Sequence, residues 1–250
     1  MDTFLKWLIG DMGTPGEYMY KAIHWYSLAA VVLLLVVLIV IQRRLNANEG
    51  RQRRLIVWIS AAQLAFEILW RLIYLFVKKA PLNELWPSYP CNLGGILIPL
   101  AALCQWKKGK KLFYLFGFVG AVLTFAYPEG IFCTDAIVFP VLKSILQHTG
   151  ILLIPVLEYV SRSYRPRIRD FGWVVGGCLI HVINSEGISR LWGLTEDYMF
   201  FRSGLPFVIP GVPQFITLSV FALLVLAILC FISDFHGSVA DLRACRKRKS

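Results

Sequence analysis

Charged residues are scarce in this sequence: Asp, Glu, Lys and Arg make up 16% of its 250 residues, whereas about a quarter is usual in a soluble domain. Hydrophobic residues make up 57%, so the composition excludes a domain that faces water on all sides. The alternation of apolar and polar residues that a membrane barrel needs is also missing. Long apolar runs are present instead, and they suit helices, because a helix in lipid satisfies its own backbone hydrogen bonds. The sequence therefore predicts an all-α, polytopic integral membrane helical bundle.

Motifs that bind metals, nucleotides or nucleic acids are missing as well. The six cysteines form no Cys-x-x-Cys pair, and no glycine-rich phosphate-binding loop is present. The net charge of +11 is distributed over short loops between apolar runs, which favours membrane topology over nucleic-acid binding. We therefore expect no cofactor, no metal and no nucleic acid. The first twenty residues hold no uninterrupted apolar region, which predicts that no cleavable signal peptide is present.

Seven apolar segments are the candidate spans of a single transmembrane domain that covers residues 1–250. They cover residues 24–41, 55–77, 91–106, 112–127, 137–160, 171–188 and 214–232. The third and fourth are shorter than the usual ~17–25 residues. Lys143 interrupts the fifth, which predicts that its spanning part begins near Ser144 after an interfacial turn. The longest polar connection, residues 189–213, is rich in Gly, Pro and aromatic residues, which predicts an ordered cap.

Basic residues are concentrated in alternate connections. The positive-inside rule places these connections in the cytoplasm and the N-terminus outside. This pattern predicts an odd number of spans, contact between the basic loops and an anionic inner leaflet, and a multi-pass protein of a cell membrane. The basic residues are Arg43, Arg44, Arg51, Arg53, Arg54, Lys107, Lys108, Lys110, Lys111, Arg162, Arg165, Arg167, Arg169, Arg243, Arg246, Lys247, Arg248 and Lys249, and the acidic residues on the opposite side are Asp2, Asp11, Glu17, Glu84, Glu129, Asp135, Glu196 and Asp197.

Polar and charged side chains also lie inside the second span. Gln63, Glu67 and Arg71 are spaced by four residues, so they share one face of a helix. A charge at the centre of a span costs about 2.5–3.5 kcal/mol on insertion, so this face is expected to look into the bundle. The sequence leaves two interpretations open: the Glu67–Arg71 pair only locks helices together, or it belongs to a functional site.

Reactive and polar groups of four spans lie at similar depths. At a rise of about 1.5 Å per residue they lie about 15–24 Å from the cytoplasmic ends of their spans, within a hydrocarbon layer about 30 Å thick. They therefore share one slab between the midplane and the outer leaflet. These groups are Glu67, Arg71, Cys91, His148, His181 and Asn184.

Cys91 and His148 are the pair with the clearest chemistry. Cys91 follows Pro90 at the expected start of a helix, where unpaired amides and the helix dipole favour a thiolate. An ionisable group inside a span, such as His148, is a functional candidate. Cysteine and histidine at matching depth resemble a nucleophile with its general base, and either Glu67 or Asn184 would orient the imidazole. Lipids carry ester carbonyls near this depth, so we predict acyl transfer.

Several motifs along the chain carry a family resemblance. They are the polar second span around Glu67, the segments WPSYPCNLGGILIPL and QHTGILLIPV, and Asn184 followed by DYMFF, Leu205–Pro206 and Pro210–Pro213. On these motifs nearly the whole chain resembles the YwaF-like bacterial integral membrane proteins, which are related to eukaryotic transmembrane protein 164. The eukaryotic relatives look like phospholipid acyltransferases, so the resemblance implies Cys91 as acyl-accepting nucleophile, His148 as base and a bacterial plasma membrane as location. Tyr89 is a departure, because the family pattern usually has a histidine there.

The leading hypothesis is therefore acyl transfer or hydrolysis on phospholipids. The first alternative is a small-solute or proton-coupled transporter, because ionisable groups and Gly or Pro interruptions occur within the spans. A metal site built from Cys91, His148, His181 and Glu67 and a non-catalytic bundle are the others. The lipid headgroup, the acceptor and the oligomeric state stay open. The residues expected to support the site or bind substrate are Gln63, Glu67, Arg71, Tyr89, His181 and Asn184.

Overall fold

The structure of the protein is a computed structural model that describes residues 3–9, 17–45, 48–128, 130–199, 201, 209 and 211–240. Every regular element within these residues is helical, and the protein is an all-α, polytopic membrane bundle. The helices are α1 (Thr3–Ile9), α2 (Ala22–Arg44), α3 (Glu49–Phe76), α4 (Pro90–Leu103), α5 (Lys107–Ala126), α6 (Phe139–Val160), α7 (Phe171–Val182), α8 (Ser189–Leu191) and α9 (Gln214–Ser233). A π-helical segment, Ile183–Ile188, joins α7 to α8.

Six helical stretches are long and apolar enough to cross a membrane: α2, α3, α5, α6, α9 and the continuous stretch Ile168–Leu191. Each of the seven predicted spans overlaps a helix, but the third corresponds to α4, which has only 14 residues. At a rise of about 1.5 Å per residue α4 is about 21 Å long, which is less than the hydrocarbon thickness of about 30 Å. The count of seven spans and their orientation therefore stay predictions.

Two helices include a lysine that the hydropathy pattern places outside the spanning part. α6 is continuous from Phe139, so no interfacial turn precedes Ser144, and Lys143 is buried inside the helix. α5 begins at Lys107 and not near residue 112, and its Lys110 is buried. In both helices a buried polar partner stabilises the lysine side chain. A hydropathy profile scores each residue without its partners, so it does not include this stabilisation.

Some residues that the sequence assigns to one side of the membrane lie outside the described residues, so their placement stays a prediction. The same holds for part of the predicted cap and of the family motifs. These residues are Asp2, Asp11, Glu129, Phe200, Leu205, Pro206, Pro210, Arg243, Arg246, Lys247, Arg248 and Lys249.

α6 lies at the centre of the bundle. It contacts α2, α3, α4 and α5, and most of its residues are buried. α7 packs against α5, and α9 packs against both α5 and α7. The α5–α7 crossing is so close that a Cβ atom at Gly177 would overlap the Leu112 carbonyl group. Only glycine permits this approach.

Ion pairs tie the helices together at one end of the bundle, which we call the basic end. Glu158 of α6 accepts a hydrogen bond from Lys110 at 2.6 Å and lies 3.7 Å from Arg53. Arg53 also donates to the carbonyl oxygen of Ala102, near the end of α4, at 2.6 Å. Further ion pairs at the basic end join Lys111 to Asp170 at 2.7 Å and Arg167 to Asp234 at 2.6 Å. We call the opposite end of the bundle, where α4 begins, the Cys91 end.

Candidate functional site

Cys91 lies in the first turn of α4. Pro90 begins this helix, at a position where the missing amide proton costs nothing, and Tyr89 before it has extended backbone, as expected before proline. Cys91 is a free, half-buried cysteine. Its carbonyl oxygen accepts a hydrogen bond from Gln147 Nε2 of α6 at 2.8 Å. Cys91 is thus held where α4 meets α6.

Glu67 of α3 is fully buried, and two cations share its carboxylate. Arg71 Nη1 donates to Glu67 Oε2 at 2.8 Å, and Lys143 Nζ of α6 lies 3.6 Å from Glu67 Oε1. Lys143 is buried too, whereas Arg71 is partly exposed. Two basic side chains therefore share this one carboxylate.

Hydrogen bonds connect this charged group to the start of α4. Lys143 Nζ donates to Asn92 Oδ1 at 3.0 Å and to Gln147 Oε1 at 2.7 Å. Gln147 Nε2 in turn donates to Asn92 Oδ1 at 3.1 Å, in addition to its bond with Cys91. Side chains of α3, α4 and α6 thereby form one connected group. We call it the polar cluster, and its residues are Glu67, Arg71, Cys91, Asn92, Lys143 and Gln147.

Gly95 makes room for the polar cluster. It lies one turn after Cys91 on α4, and a Cβ atom there would come within 2.8 Å of Gln147 Nε2 and 3.0 Å of Glu67 Oε1. Both distances are too short for a carbon atom in ordinary contact. The bare backbone at Gly95 therefore lets the α3 and α6 side chains meet beside α4.

His148 follows Gln147 on α6 and turns away from the polar cluster. Its Nδ1 lies 2.8 Å from the Ser144 carbonyl oxygen and 3.5 Å from Ser144 Oγ. Its ring faces Phe125 of α5, with the ring centroids 6.1 Å apart. Among the described hydrogen bonds none joins the His148 ring to the Cys91 thiol.

Asn184 supports the connection that precedes α4. Its Nδ2 donates to the Pro87 carbonyl oxygen at 2.7 Å, and its Oδ1 accepts from Trp86 Nε1 at 3.0 Å. The neighbouring Ser185 donates to the Ser88 carbonyl oxygen at 2.6 Å. Both residues lie in the π-helical segment, and such wide turns are frequent at functional sites. The π-helical segment therefore holds the chain just before the polar cluster.

Tyr89 connects the start of α4 to the predicted cap. Its hydroxyl donates to Glu196 Oε2 at 2.9 Å, and its ring packs edge-on against Tyr198 at 4.8 Å. Trp86 stacks on Trp192 at 5.9 Å. Burial and the Glu196 carboxylate raise the pKa of the Tyr89 phenol, so the hydroxyl stays a donor at neutral pH. The described part of the cap thus contacts the residues that lead to Cys91.

His181 and Gln63 have other surroundings. The buried His181 ring packs against Phe116 at 4.7 Å and Phe113 at 6.0 Å, between α7 and α5. Gln63 lies against Gly150 of α6, one turn from Glu67. Among the described residues no three His, Cys, Asp or Glu side chains are placed to hold a metal ion.

The sequence-based candidates do not include Asn92, Lys143 or Gln147. A signal for two of them was present, because Lys143, Gln147 and Gly150 recur at helical spacing and therefore share one face of α6. That face meets the α3 face that carries Gln63 and Glu67. Matching the polar faces of two spans would have indicated this contact.

Comparison with known proteins places the chain in a family. A family model described as the TMEM164 family matches residues 19–232, a range that includes the whole polar cluster. The comparisons with curated proteins and with solved structures give no match. Because the matched range covers most of the sequence, the chain belongs to the TMEM164 family.

Proposed function

We propose that this protein transfers or hydrolyses a phospholipid acyl group, with Cys91 as the nucleophile and His148 as the general base. The observation that carries the proposal is the place of Cys91, which lies in the first turn of α4 beside one carboxylate and two basic side chains. Arg71 and Lys143 belong to the same cluster as Cys91, so they would stabilise an anion that forms beside it. That anion is the oxyanion of the tetrahedral intermediate that forms on attack.

The reaction proceeds in two steps. First, the Cys91 sulfur attacks the ester carbonyl carbon of a phospholipid, and the thiol proton passes to His148. The carbon–oxygen ester bond then breaks, and His148 returns the proton to the departing lysophospholipid alcohol. Second, an acceptor alcohol or water loses its proton to His148 and attacks the thioester carbon. The carbon–sulfur bond breaks, the product leaves, and the proton restores the thiol.

The hydrogen bond of His148 suits the role of base. A carbonyl oxygen only accepts, so the bond to Ser144 requires the proton on Nδ1. The neutral ring then carries its lone pair on Nε2. In this structure the His148 ring faces Phe125. The proposed step therefore requires the ring to move when lipid binds, until Nε2 lies within about 3 Å of the thiol. Catalytic hydrogen bonds often tighten in this way.

Arg71 and Lys143 have separate roles in this scheme. Arg71 is the partly exposed cation, and its guanidinium is able to pair with a lipid phosphate through two hydrogen bonds. Lys143 is buried and hydrogen-bonded to Asn92 and Gln147, so its ammonium is held near the reacting carbonyl. We assign Arg71 to substrate binding and Lys143 to oxyanion stabilisation.

Intact-mass spectrometry of the purified protein with phosphatidylcholine tests this proposal. We expect the wild type to gain one acyl chain on Cys91 and Cys91→Ala to gain none. His148→Gln should slow acylation about 100-fold or more, the usual loss for a general base. Cys104→Ser is the matched control, because Cys104 is a free, exposed cysteine at the other end of α4. Full turnover by folded Cys91→Ala would end the proposal.

A transporter is the second candidate, and Glu67 favours it. A buried carboxylate shared by cations on two helices is the kind of intramembrane group that carriers use to move protons. Proteoliposome flux distinguishes the two functions. Flux that survives Cys91→Ala and is lost in Glu67→Gln would support a carrier, whereas acylation of Cys91 without flux would support the enzyme.

The last part of the proposal concerns the kind of membrane and the orientation of the protein in it. The protein is a multi-pass membrane protein, and its exposed apolar helix faces contact lipid. We propose that the membrane is a bacterial plasma membrane and that the basic end faces the cytoplasm, because basic residues there suit an anionic leaflet.

A further inference from the structure

A cavity of about 390 Å³ opens at the basic end, far from the polar cluster. It lies between the end of α2 and the turn that follows α6. Its lining includes three exposed arginines. The lining residues are Arg43, Tyr159, Val160, Arg162 and Arg165.

Arg43 and Arg162 have no carboxylate partner in the part of the chain that the structure describes, and Asp234, the carboxylate near Arg165, forms its ion pair with Arg167. The neighbouring acids are engaged elsewhere: Glu158 binds Lys110, Asp170 binds Lys111 and Asp234 binds Arg167. This leaves three positive charges around one cavity. Exposed arginines repel one another, so an arrangement of three around one space favours an anionic ligand between them.

Tyr159 and Ser233 fix the position of one of these arginines. The Tyr159 hydroxyl donates to the Ser233 carbonyl oxygen at 2.8 Å, which ties the ring to the end of α9. The Arg165 guanidinium lies over that ring, 5.0 Å from its centroid. A guanidinium stacked on an anchored ring is pre-organised, so it loses less side-chain entropy when it binds a ligand.

Arg162 occupies a backbone position that favours glycine. Its φ is 60°, and it follows Ser161, the C-cap of α6. Helices commonly end with glycine in this left-handed conformation, and another residue there costs about 1–2 kcal/mol. An arginine at this position therefore lowers stability locally. Its place in the lining of the cavity offers a reason why arginine and not glycine occurs here.

We infer that this cavity binds the phosphate-bearing headgroup of an anionic phospholipid. Arg43 lies in the last turn of the apolar helix α2, and Arg162 and Arg165 follow the end of α6, so we expect them at the level where headgroups begin. Guanidinium groups bind phosphate oxygens in pairs of hydrogen bonds. The volume falls within the usual range of about 300–1,000 Å³ for small-ligand sites. This site is independent of the proposed chemistry at Cys91.

Native mass spectrometry of the full chain in non-ionic detergent tests the inference. The probes are phosphatidylglycerol and phosphatidylcholine with identical acyl chains, and inorganic phosphate. We expect phosphatidylglycerol to bind preferentially, and Arg165→Gln and Arg162→Gly each to weaken that binding about tenfold. Arg54→Gln is the matched control, because Arg54 is an exposed arginine at the same end that does not line the cavity. We expect it to bind as the wild type does.

Arg162→Gly separates binding from folding. Glycine relieves the left-handed backbone, so this variant should melt at the same temperature as the wild type or higher, without lipid, while it loses phosphatidylglycerol. The inference is overturned if both cavity variants keep wild-type affinity, or if Arg54→Gln loses as much as they do. Complete displacement of the lipid by millimolar inorganic phosphate would also overturn it, in favour of a site for a free anion.

Discussion

Glu67 is a fully buried carboxylate, so its charge needs partners inside the bundle. An ionised carboxylate in a membrane interior is stable only with close cationic partners. Arg71 supplies one partner from the same helix, and Lys143 supplies the other from α6. The pair on one helix is visible in the sequence, but the partner on α6 depends on how two helices rotate against each other.

Glu67→Gln should lower the free energy of unfolding by about 3–5 kcal/mol, because it leaves two cations near each other without their carboxylate. The measurement is the denaturation midpoint in detergent. Glu84→Gln is the control, since Glu84 is exposed at the same end of the molecule, and it should change the midpoint little.

Adding Lys143→Gln to Glu67→Gln should recover part of that loss, because it removes one of the two uncompensated charges. Residues in direct contact show such non-additive effects. Strict additivity of the two substitutions would mean that Lys143 and Glu67 do not interact, against the 3.6 Å separation of their charged atoms.

Sequence reasoning found part of the polar cluster and missed the rest for a physical reason. Helical spacing alone brings Glu67 and Arg71 together, and a proline marks the helix start at Cys91. Lys143 looked like an interruption of an apolar span, because hydropathy scores a lysine without its partners. Gln147 was hidden beside the more reactive His148, although its amide is the group that reaches Cys91.

At the scale of elements, the α5–α7 crossing depends on one glycine. Gly177→Ala should destabilise the protein by about 1–3 kcal/mol, because the new methyl group forces α7 away from the Leu112 backbone. Gly172→Ala on the same helix is the control: nothing lies within 4 Å of its Cβ position, so the substitution should be neutral or stabilising by up to about 1 kcal/mol. Equal melting temperatures for the two variants would contradict the close crossing.

Helix ends were harder to predict from sequence than helix positions. Apolar residues continue to Trp106, yet α4 ends at Leu103 because Gln105 adopts a positive φ of 49° and reverses the chain. The following helix starts at once, at Lys107, and Lys110 stays in it because Glu158 accepts a hydrogen bond from its ammonium group. A local turn and a distant carboxylate thus shift both boundaries, and a hydropathy window registers neither.

For the whole molecule, the connections after the first, third and fifth predicted spans, which are rich in basic residues, lie at one end of the bundle, where ion pairs join them to the helices. Arg53, Lys110, Lys111 and Arg167 each bind a carboxylate there. Relative sidedness thus agrees with the charge pattern of the sequence. The absolute orientation is a separate matter, since a bundle turned over in the membrane would keep every one of these contacts.

Labelling in intact cells tests the orientation. In a background without native cysteines, a membrane-impermeant maleimide should modify Glu84→Cys directly and Arg54→Cys only after permeabilisation, because positive loops stay in the cytoplasm. Both positions are exposed at opposite ends of α3 and its connection. The reverse labelling pattern would show that the basic end faces outward.

The short α4 also affects how water reaches the thiol. Trp106 and Lys107 are exposed, and we expect them to anchor the basic end at one membrane surface. With that anchor and a length of about 21 Å, α4 would start roughly 9 Å beneath the opposite surface. Residues 77–89 fill that height largely without helix, and irregular backbone is tolerated at such depth only beside protein or water. For a thioester on Cys91, the packing of residues 77–89 would therefore control how much water reaches it, and with that the ratio of released fatty acid to transferred acyl chain.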